Sequence, residues 1–452
     1  MGALMQVNLG SQLISKLGSP NSKLPLAAKD LFNSAGYTYF SYDAGGKVEG
    51  KDRFVDELGT GLIWLFGIPT YKKIIDKTIF KAAKISPDVD VRILKNKDYL
   101  NSAIENAPTE SIVKDLKRAS ENITKTKGLT LLKFALALGM TMASYFALTK
   151  FKQNMTKKAI EKEFMAKKVK EQKNNVKQNN FEISPIFKDF ADTITKNNPS
   201  FGSSAAINIA EEFMLNPIKN MIILDAGIST SRIKNARTKG EAAEYAIKEG
   251  SFLFFVYGAG KVIQKGIDKL SEKLFKIPIS LDAQLLSSQS AKDILTNPDL
   301  QKDINDFSSL LKKKDKINNI YDFIFKNQDN IIVTAAKKSG IISTIKDATG
   351  KEKIDTRKYI DIKDLEKLTK DLTTFIDNSK NKDIKTYLNK VKTNKVASTI
   401  INVGICCLAL GYIVPKMMYK YRKDHQNGKN DFHVKTEYEK ELAAKQMNPS
   451  LK

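Results

Sequence analysis

Two Asp-Ala-Gly tripeptides, at Asp43 and Asp225, are the only polar motif with twofold recurrence in the chain. A pair of carboxylates brought together by a repeat could hold a cation or a small substrate between the two halves. The plainer reading is a turn, since Asp tolerates tight turns and Gly supplies a positive φ. The other reactive side chains offer less. His425 and His433 are the only histidines, and although His433 and Glu437 could share a helix face, they read as ordinary surface residues. Cys406 and Cys407 are the only cysteines and are adjacent, which excludes a disulfide framework and suits small packing residues in a helix. The GAGK at 258–261 lacks the rest of a phosphate-loop spacing, and glycine packing explains it better. No HExxH, CxxC or GxSxG context stands where it would be useful. The sequence therefore carries no catalytic signature, and it predicts no metal and no cofactor.

The elements that would position the two aspartates are apolar helices. Residues 129–149 and 396–414 each form an apolar stretch of 19–21 residues. At about 1.5 Å rise per residue, about 20 residues cross a hydrocarbon core of about 30 Å. Lys133 is the one charge in the first, a turn from its end, where its stem can reach the headgroups; Asn402 is the one strongly polar side chain in the second. Basic residues flank both stretches on both sides, so the positive-inside rule gives no orientation. Ala135, Gly139, Ala143 and Ala147 fall at four-residue steps, and Gly404, Cys407 and Gly411 make a shorter face of the same kind. Such small-residue stripes let helices approach closely, so these faces are expected to pack on one another or to pair across a homo-oligomer. Two shorter glycine-broken stretches, 58–69 and 250–260, are too short to span alone. They are expected as short accessory helices that pack on their long neighbours or dip into one leaflet.

The halves can be laid over one another collinearly. Gly59-Thr60 meets Gly250-Ser251, Phe66-Gly67 meets Tyr257-Gly258, and Lys73, Ile75, Asp76 and Lys77 meet Lys265, Ile267, Asp268 and Lys269. Leu136-Ala137-Leu138-Gly139 meets Leu408-Ala409-Leu410-Gly411. The organisation read from this is a polar N-terminal segment at 1–26, a first unit at 27–150, a basic amphipathic helix and linker at 151–208, a second unit at 209–423, and a charged tail at 424–452. The second unit carries a soluble helical insertion at 277–395. The fold class is mainly α-helical, a membrane-associated protein of two pseudo-repeats, with a brief β-hairpin expected at 36–50, where aromatic alternation meets a glycine turn.

Composition sets the surroundings. The chain has 452 residues, 42% apolar and 28% charged, with 75 basic against 50 acidic side chains and a net charge of +25. A mean hydropathy of -0.33 is too polar for a transporter with most of its mass in lipid. The basic excess suits anionic lipid headgroups better than nucleic acid, because arginine is scarce and basic stretches lack interleaved aromatics. The N-terminus has no basic n-region and no continuous apolar h-region, so insertion would depend on the internal segments. The expectation is an integral membrane scaffold or organising protein in a bacterial-type inner membrane, with basic helical domains facing an anionic surface. Two alternatives stand beside it: a small-substrate transporter or channel component with a site at the repeat interface, and a soluble helical protein whose apolar helices are buried.

Overall fold

The computed structural model describes residues 23–171, 209–211, 213–214, 216–275, 281–312, 316–347, 349–426, 428 and 431–447. The N-terminal segment up to residue 22, the linker 172–208 and the last residues of the tail lie outside the described residues. The fold is mainly helical, and a two-stranded antiparallel ribbon pairs Thr344–Lys346 with Glu352–Ile354.

Helix α1 spans Leu24–Ile75 but is reversed at Gly46, which adopts φ 72° and ψ -164°. Glycine admits this geometry because it has no Cβ. Ser34 donates to Glu57 at 3.3 Å. In a straight helix those residues would stand about 35 Å apart, so the arms 24–45 and 47–75 run antiparallel. This corrects the expected β-hairpin at 36–50. The glycine pair does turn the chain, but its flanks are helical, because the buried positions Tyr37 and Ser41, then Glu49, Asp52, Arg53, Asp56 and Glu57, recur at helical spacing.

Helix α2, Ile123–Glu171, carries the first long apolar stretch and continues as the basic extension the sequence implied. Next, α3 (Pro217–Lys234) and α4 (Lys239–Leu253) form a second helical hairpin. Thr238 caps α4 by accepting from Glu241 N–H at 3.0 Å, and Ser229 reaches across to Glu249 at 2.9 Å. A π-helical turn at Phe254–Ala259 leads into α5, Gly260–Phe275. The apolar stretches 58–69 and 250–260 are thus the middles of longer helices and not separate short ones. Their polar flanks stay helical because their charges are paired inside the bundle.

Helix α6 (Ile384–Leu408) continues through a π-helical turn at Ala409–Ile413 into α7 (Val414–His425). Helix α8, His433–Met447, lies on the extension of α2, where Tyr438 donates to Glu161 at 2.6 Å. Among the described residues, two helices are long and apolar enough to cross a membrane: α2, and α6 with α7.

Each long helix runs antiparallel to the second arm of one hairpin. Asp56 and Gly67 of α1, and Asp76 just beyond its end, meet Lys152, Thr141 and Lys133 of α2 in that order. Glu244, Gln264 and Asp268 meet Arg422, Asn402 and Ser398. The first arms cross over. Phe32 and Gly36 of α1 pack on Gly411, while Gly227 of α3 faces Met142 of α2. The face at Gly411 therefore packs on α1 and not on the Gly139 stripe. Gly139 and Gly404 face open space, Ala135 and Ala147 are exposed, Ala143 is half-buried, and Cys407 is buried.

Residues 84–122 and 281–383 form one helical domain at the far end of the hairpins. Its core gathers Leu116, Phe307, Ile332 and Leu372, none with measurable exposure, and Tyr99 crosses it to donate to the Lys358 carbonyl at 3.1 Å. The expected insertion thus shares a core with residues 84–122 of the first unit. The base of α6, at Leu388 and Val391, also belongs to this core.

A Cβ placed on Gly36 would overlap the Gly411 carbonyl, whereas one on Gly139 meets nothing. Gly36→Ala should therefore destabilise the bundle by about 1–3 kcal/mol. Gly139→Ala should be neutral or gain up to about 1 kcal/mol from helix propensity. Thermal unfolding of the two variants beside the parent checks the contrast.

Candidate functional site

The polar interior of the bundle lies between the hairpin tips and the C-terminal halves of the long helices. It starts from two similar helical segments. Lys47, Glu49, Asp52 and Glu57 fall at the same spacing as Lys239, Glu241, Glu244 and Glu249. A spacing of three to four residues puts the acids on one face of each helix, and the two faces meet.

Arg422 of α7 sits between them with no side-chain exposure. Its Nη2 and Nη1 donate to Glu49 at 2.6 and 2.8 Å, and its Nε and Nη2 donate to Glu244 at 2.6 and 2.8 Å. Arg53 reaches Glu244 at 2.9 Å, and Tyr419 donates to Glu49 at 3.1 Å. On the other side, Lys152 of α2 donates to the Tyr245 hydroxyl at 2.8 Å and pairs with Asp56 at 3.5 Å. Arg237 clamps Asp52 through two nitrogens at 3.0 and 3.1 Å. Arg232 spans Asp56 at 3.3 Å and Thr60 at 3.0 Å and also holds Glu249, while Lys248 bridges Glu57 and Glu249. With Glu241, which pairs with Arg237 at 2.6 Å, seven carboxylates face six cations, almost all inaccessible to solvent. Burying such charges costs several kcal/mol per ion unless each is paired and hydrogen-bonded. The bidentate guanidinium–carboxylate geometry meets that demand.

Deeper in the bundle the balance turns acidic. A cavity of about 20 Å³ is lined by Asp30, Asn33, Thr60, Trp64, Asp225 and Arg232. This is room for about one water-sized ligand. Asn33 and Trp64 are each 2% exposed, and Asn33 Oδ1 has no hydrogen-bond partner among the described residues. Asp225 accepts from the Tyr257 hydroxyl. Among the described residues, no three His, Cys, Asp or Glu side chains converge to hold a metal ion. At the opposite end of the bundle, by the helical domain, Glu211 accepts from Val91 N–H at 3.3 Å. Burial, reinforced by the charge of Asp90, pushes the Glu211 carboxyl up to about 7.

The two aspartates singled out by sequence do not share an environment. Asp43 is exposed three residues before the Gly46 reversal, whereas Asp225 is buried within α3 and lines the cavity. Asp225 is not in a turn; the second hairpin turns at residues 235–238, beyond its tripeptide. His433 lies against Glu244 at 3.3 Å and contacts Gln426. Sequence reasoning missed Arg53, Arg232, Arg422, Glu49 and Glu244. The available signal was the matched acidic spacing of 47–57 and 239–249, which the search for apolar stretches passed over. Comparison with protein-family models, with curated proteins and with solved structures finds no match to this chain.

Removing one partner of a buried pair leaves an uncompensated charge. Arg422→Leu strands Glu49 and Glu244, and unfolding measurements should show a loss of about 3–5 kcal/mol. Lys338→Ala, which breaks the partly exposed Lys338–Glu352 pair, should change stability by no more than about 0.5 kcal/mol.

Proposed function

We propose that the chain is an integral membrane protein of two like-oriented units, whose bundle binds and passes a small substrate at the interface between them. The observation that carries this reading is the distribution of exposed apolar side chains. Every exposed large apolar residue among the described residues lies on a bundle helix, on its π-helical turns or at Ile209, and none lies on the domain formed by 84–122 and 281–383. Buried charges show the reverse preference and concentrate inside the bundle. A bundle that is apolar outside and charged inside is suited to hydrocarbon as its solvent.

The dimensions agree. Exposed residues from Phe54 to Ile74 on α1 and from Ile400 to Tyr421 on α6 and α7 each extend about 30 Å along their helix axes, the thickness of a hydrocarbon core. Of the most apolar 18 residues, only 28% are buried within the protein in α2 and 33% in α6 with α7. That argues against core helices of a soluble protein. Both halves run in the order hairpin, domain segment, long helix, and both domain segments lie at the same end of the bundle. This supports a duplication whose axis lies along the bilayer normal.

A transport component explains the interior better than a scaffold does. A scaffold has no need of seven carboxylates and six cations enclosed in a bundle, whereas ionisable groups at membrane depth mark substrate or ion pathways. The helical domain holds 26 basic and 24 acidic residues and so has no basic face-wide excess to offer an anionic surface. The basic residues concentrate instead on α2 beyond its apolar stretch, where 150–171 has eight lysines and three glutamates.

Two measurements test this. Membranes containing the chain, washed in alkaline carbonate, should retain it in the pellet; quantitative release would refute insertion. Liposomes holding the purified chain should swell in isosmotic solutions of at least one class of small solute faster than protein-free liposomes. Swelling no faster than the blanks across amino acids, sugars and organic cations would return the chain to a structural role.

A further inference from the structure

A second cavity opens sideways from the bundle. It is a groove of about 470 Å³ between the two arms of α1. Its walls are Leu31, Leu58, Leu62 and Leu65, and its floor is Asp30, Ser34 and Glu57. Leu31, Leu58 and Leu62 are 68%, 50% and 51% exposed, so the mouth lies within the apolar belt that the proposed function places in lipid. Asp30, Glu57 and Gly61 line both this groove and the inner polar cavity.

The two floor carboxylates differ. Glu57 is engaged, since one oxygen pairs with Lys248 and the other accepts from Ser34 at 3.3 Å. Asp30 has no hydrogen bond and no ion pair among the described residues. Lys29 beside it is turned away and donates to the Phe255 carbonyl at 3.5 Å. Gly61 stands opposite Asp30, and a Cβ there would lie 3.3 Å from Asp30 Oδ2, so the glycine keeps the approach to this oxygen open. Arg232 and Lys248, whose charges act on Asp30, are committed to Asp56, Glu57 and Glu249.

We propose that this groove binds a lipophilic organic cation, with its apolar body between the leucines and its positive group against Asp30. The proposal rests on the membrane-embedded transport reading and names its substrate class. A volume of a few hundred Å³ with apolar walls and few polar groups suits a small organic ligand. The charge decides which one. A carboxyl without a hydrogen bond or ion pair at the foot of an apolar groove favours a cation, whose approach stabilises its charged form. A neutral acyl chain would leave the carboxylate unpaired, and an anionic headgroup would be repelled. Tyr39 and Phe54, 67% and 48% exposed, also line the groove, and their ring faces add attraction for a cation.

The test is equilibrium binding of radiolabelled tetraphenylphosphonium to the full chain in nonionic detergent. Saturable binding is expected, weakened at least tenfold in Asp30→Asn and in Leu62→Trp, which fills the groove without touching the carboxylate. Asp322→Asn, in the helical domain, should bind as the parent does. Dodecyltrimethylammonium should displace the probe, and dodecanol should not. No saturable binding by the folded parent, equal displacement by dodecanol, or binding that emerges only once residues 1–22 are removed would each overturn the proposal. The last result would assign the groove to the chain's own N-terminal segment. Because this readout needs no flux, binding without liposome swelling removes the transport reading and leaves the site. Swelling without binding removes the substrate class alone.

Discussion

A guanidinium held between carboxylates from two different hairpins is the constraint on which the bundle depends. Arg422 comes from the second long helix, Glu49 from the first hairpin and Glu244 from the second. None of the three can leave without stranding the others in a dry interior. Buried pairs of this kind add little net stability over well-packed apolar groups, but they penalise every wrong register heavily. Their contribution here is to fix how the two hairpins sit against the long helices. The Gly36–Gly411 contact is the packing counterpart, a close backbone approach permitted only where side chains are absent.

That arrangement has a consequence for the solvent. With the charges turned inward, the bundle helices present Phe54, Leu62, Phe254, Ile405 and Met417 outward. In water such a surface would be an association liability. In hydrocarbon it is the favourable outer face. The helical domain follows the opposite rule, with a conventional core around Phe307 and Leu372 and an almost neutral charged surface. One chain thus carries two bodies with opposite polarity, joined through the lower ends of α1, α2, α5 and α6.

Much of the helical architecture was legible because apolar periodicity is a strong signal. The two long helices can be read from the apolar stretches 129–149 and 396–414, and 58–69 and 250–260 mark the apolar middles of further helices. The Gly45-Gly46 reversal was legible as a turn but not as a helical one, because Tyr37, Tyr39 and the neighbouring aromatics alternate as a strand would. The polar interior was not legible. Charged residues on a helix usually face water, and nothing local distinguishes Glu49 or Arg422 from a solvated surface residue. Only the partner 373 residues away does so. The same holds for residues 84–122, whose joint core with the insertion depends on contacts of long sequence separation, such as Tyr99 with Lys358. The two Asp-Ala-Gly tripeptides lie in different surroundings, Asp43 exposed beside the Gly46 reversal and Asp225 buried within α3.

The central claim is that hydrocarbon surrounds the bundle helices. Spin-label accessibility tests it most directly. Cys406 and Cys407 are replaced by alanine, and single cysteines are placed at Leu58, Leu62, Val262 and Ile405 of the belt and at Gln301 and Asp377 of the helical domain, in the chain reconstituted into liposomes. The account predicts that labels on the belt are relaxed by dissolved oxygen and hardly at all by a water-soluble nickel chelate, with the order reversed in the domain. Belt labels relaxed by the nickel chelate as strongly as the domain labels would contradict it.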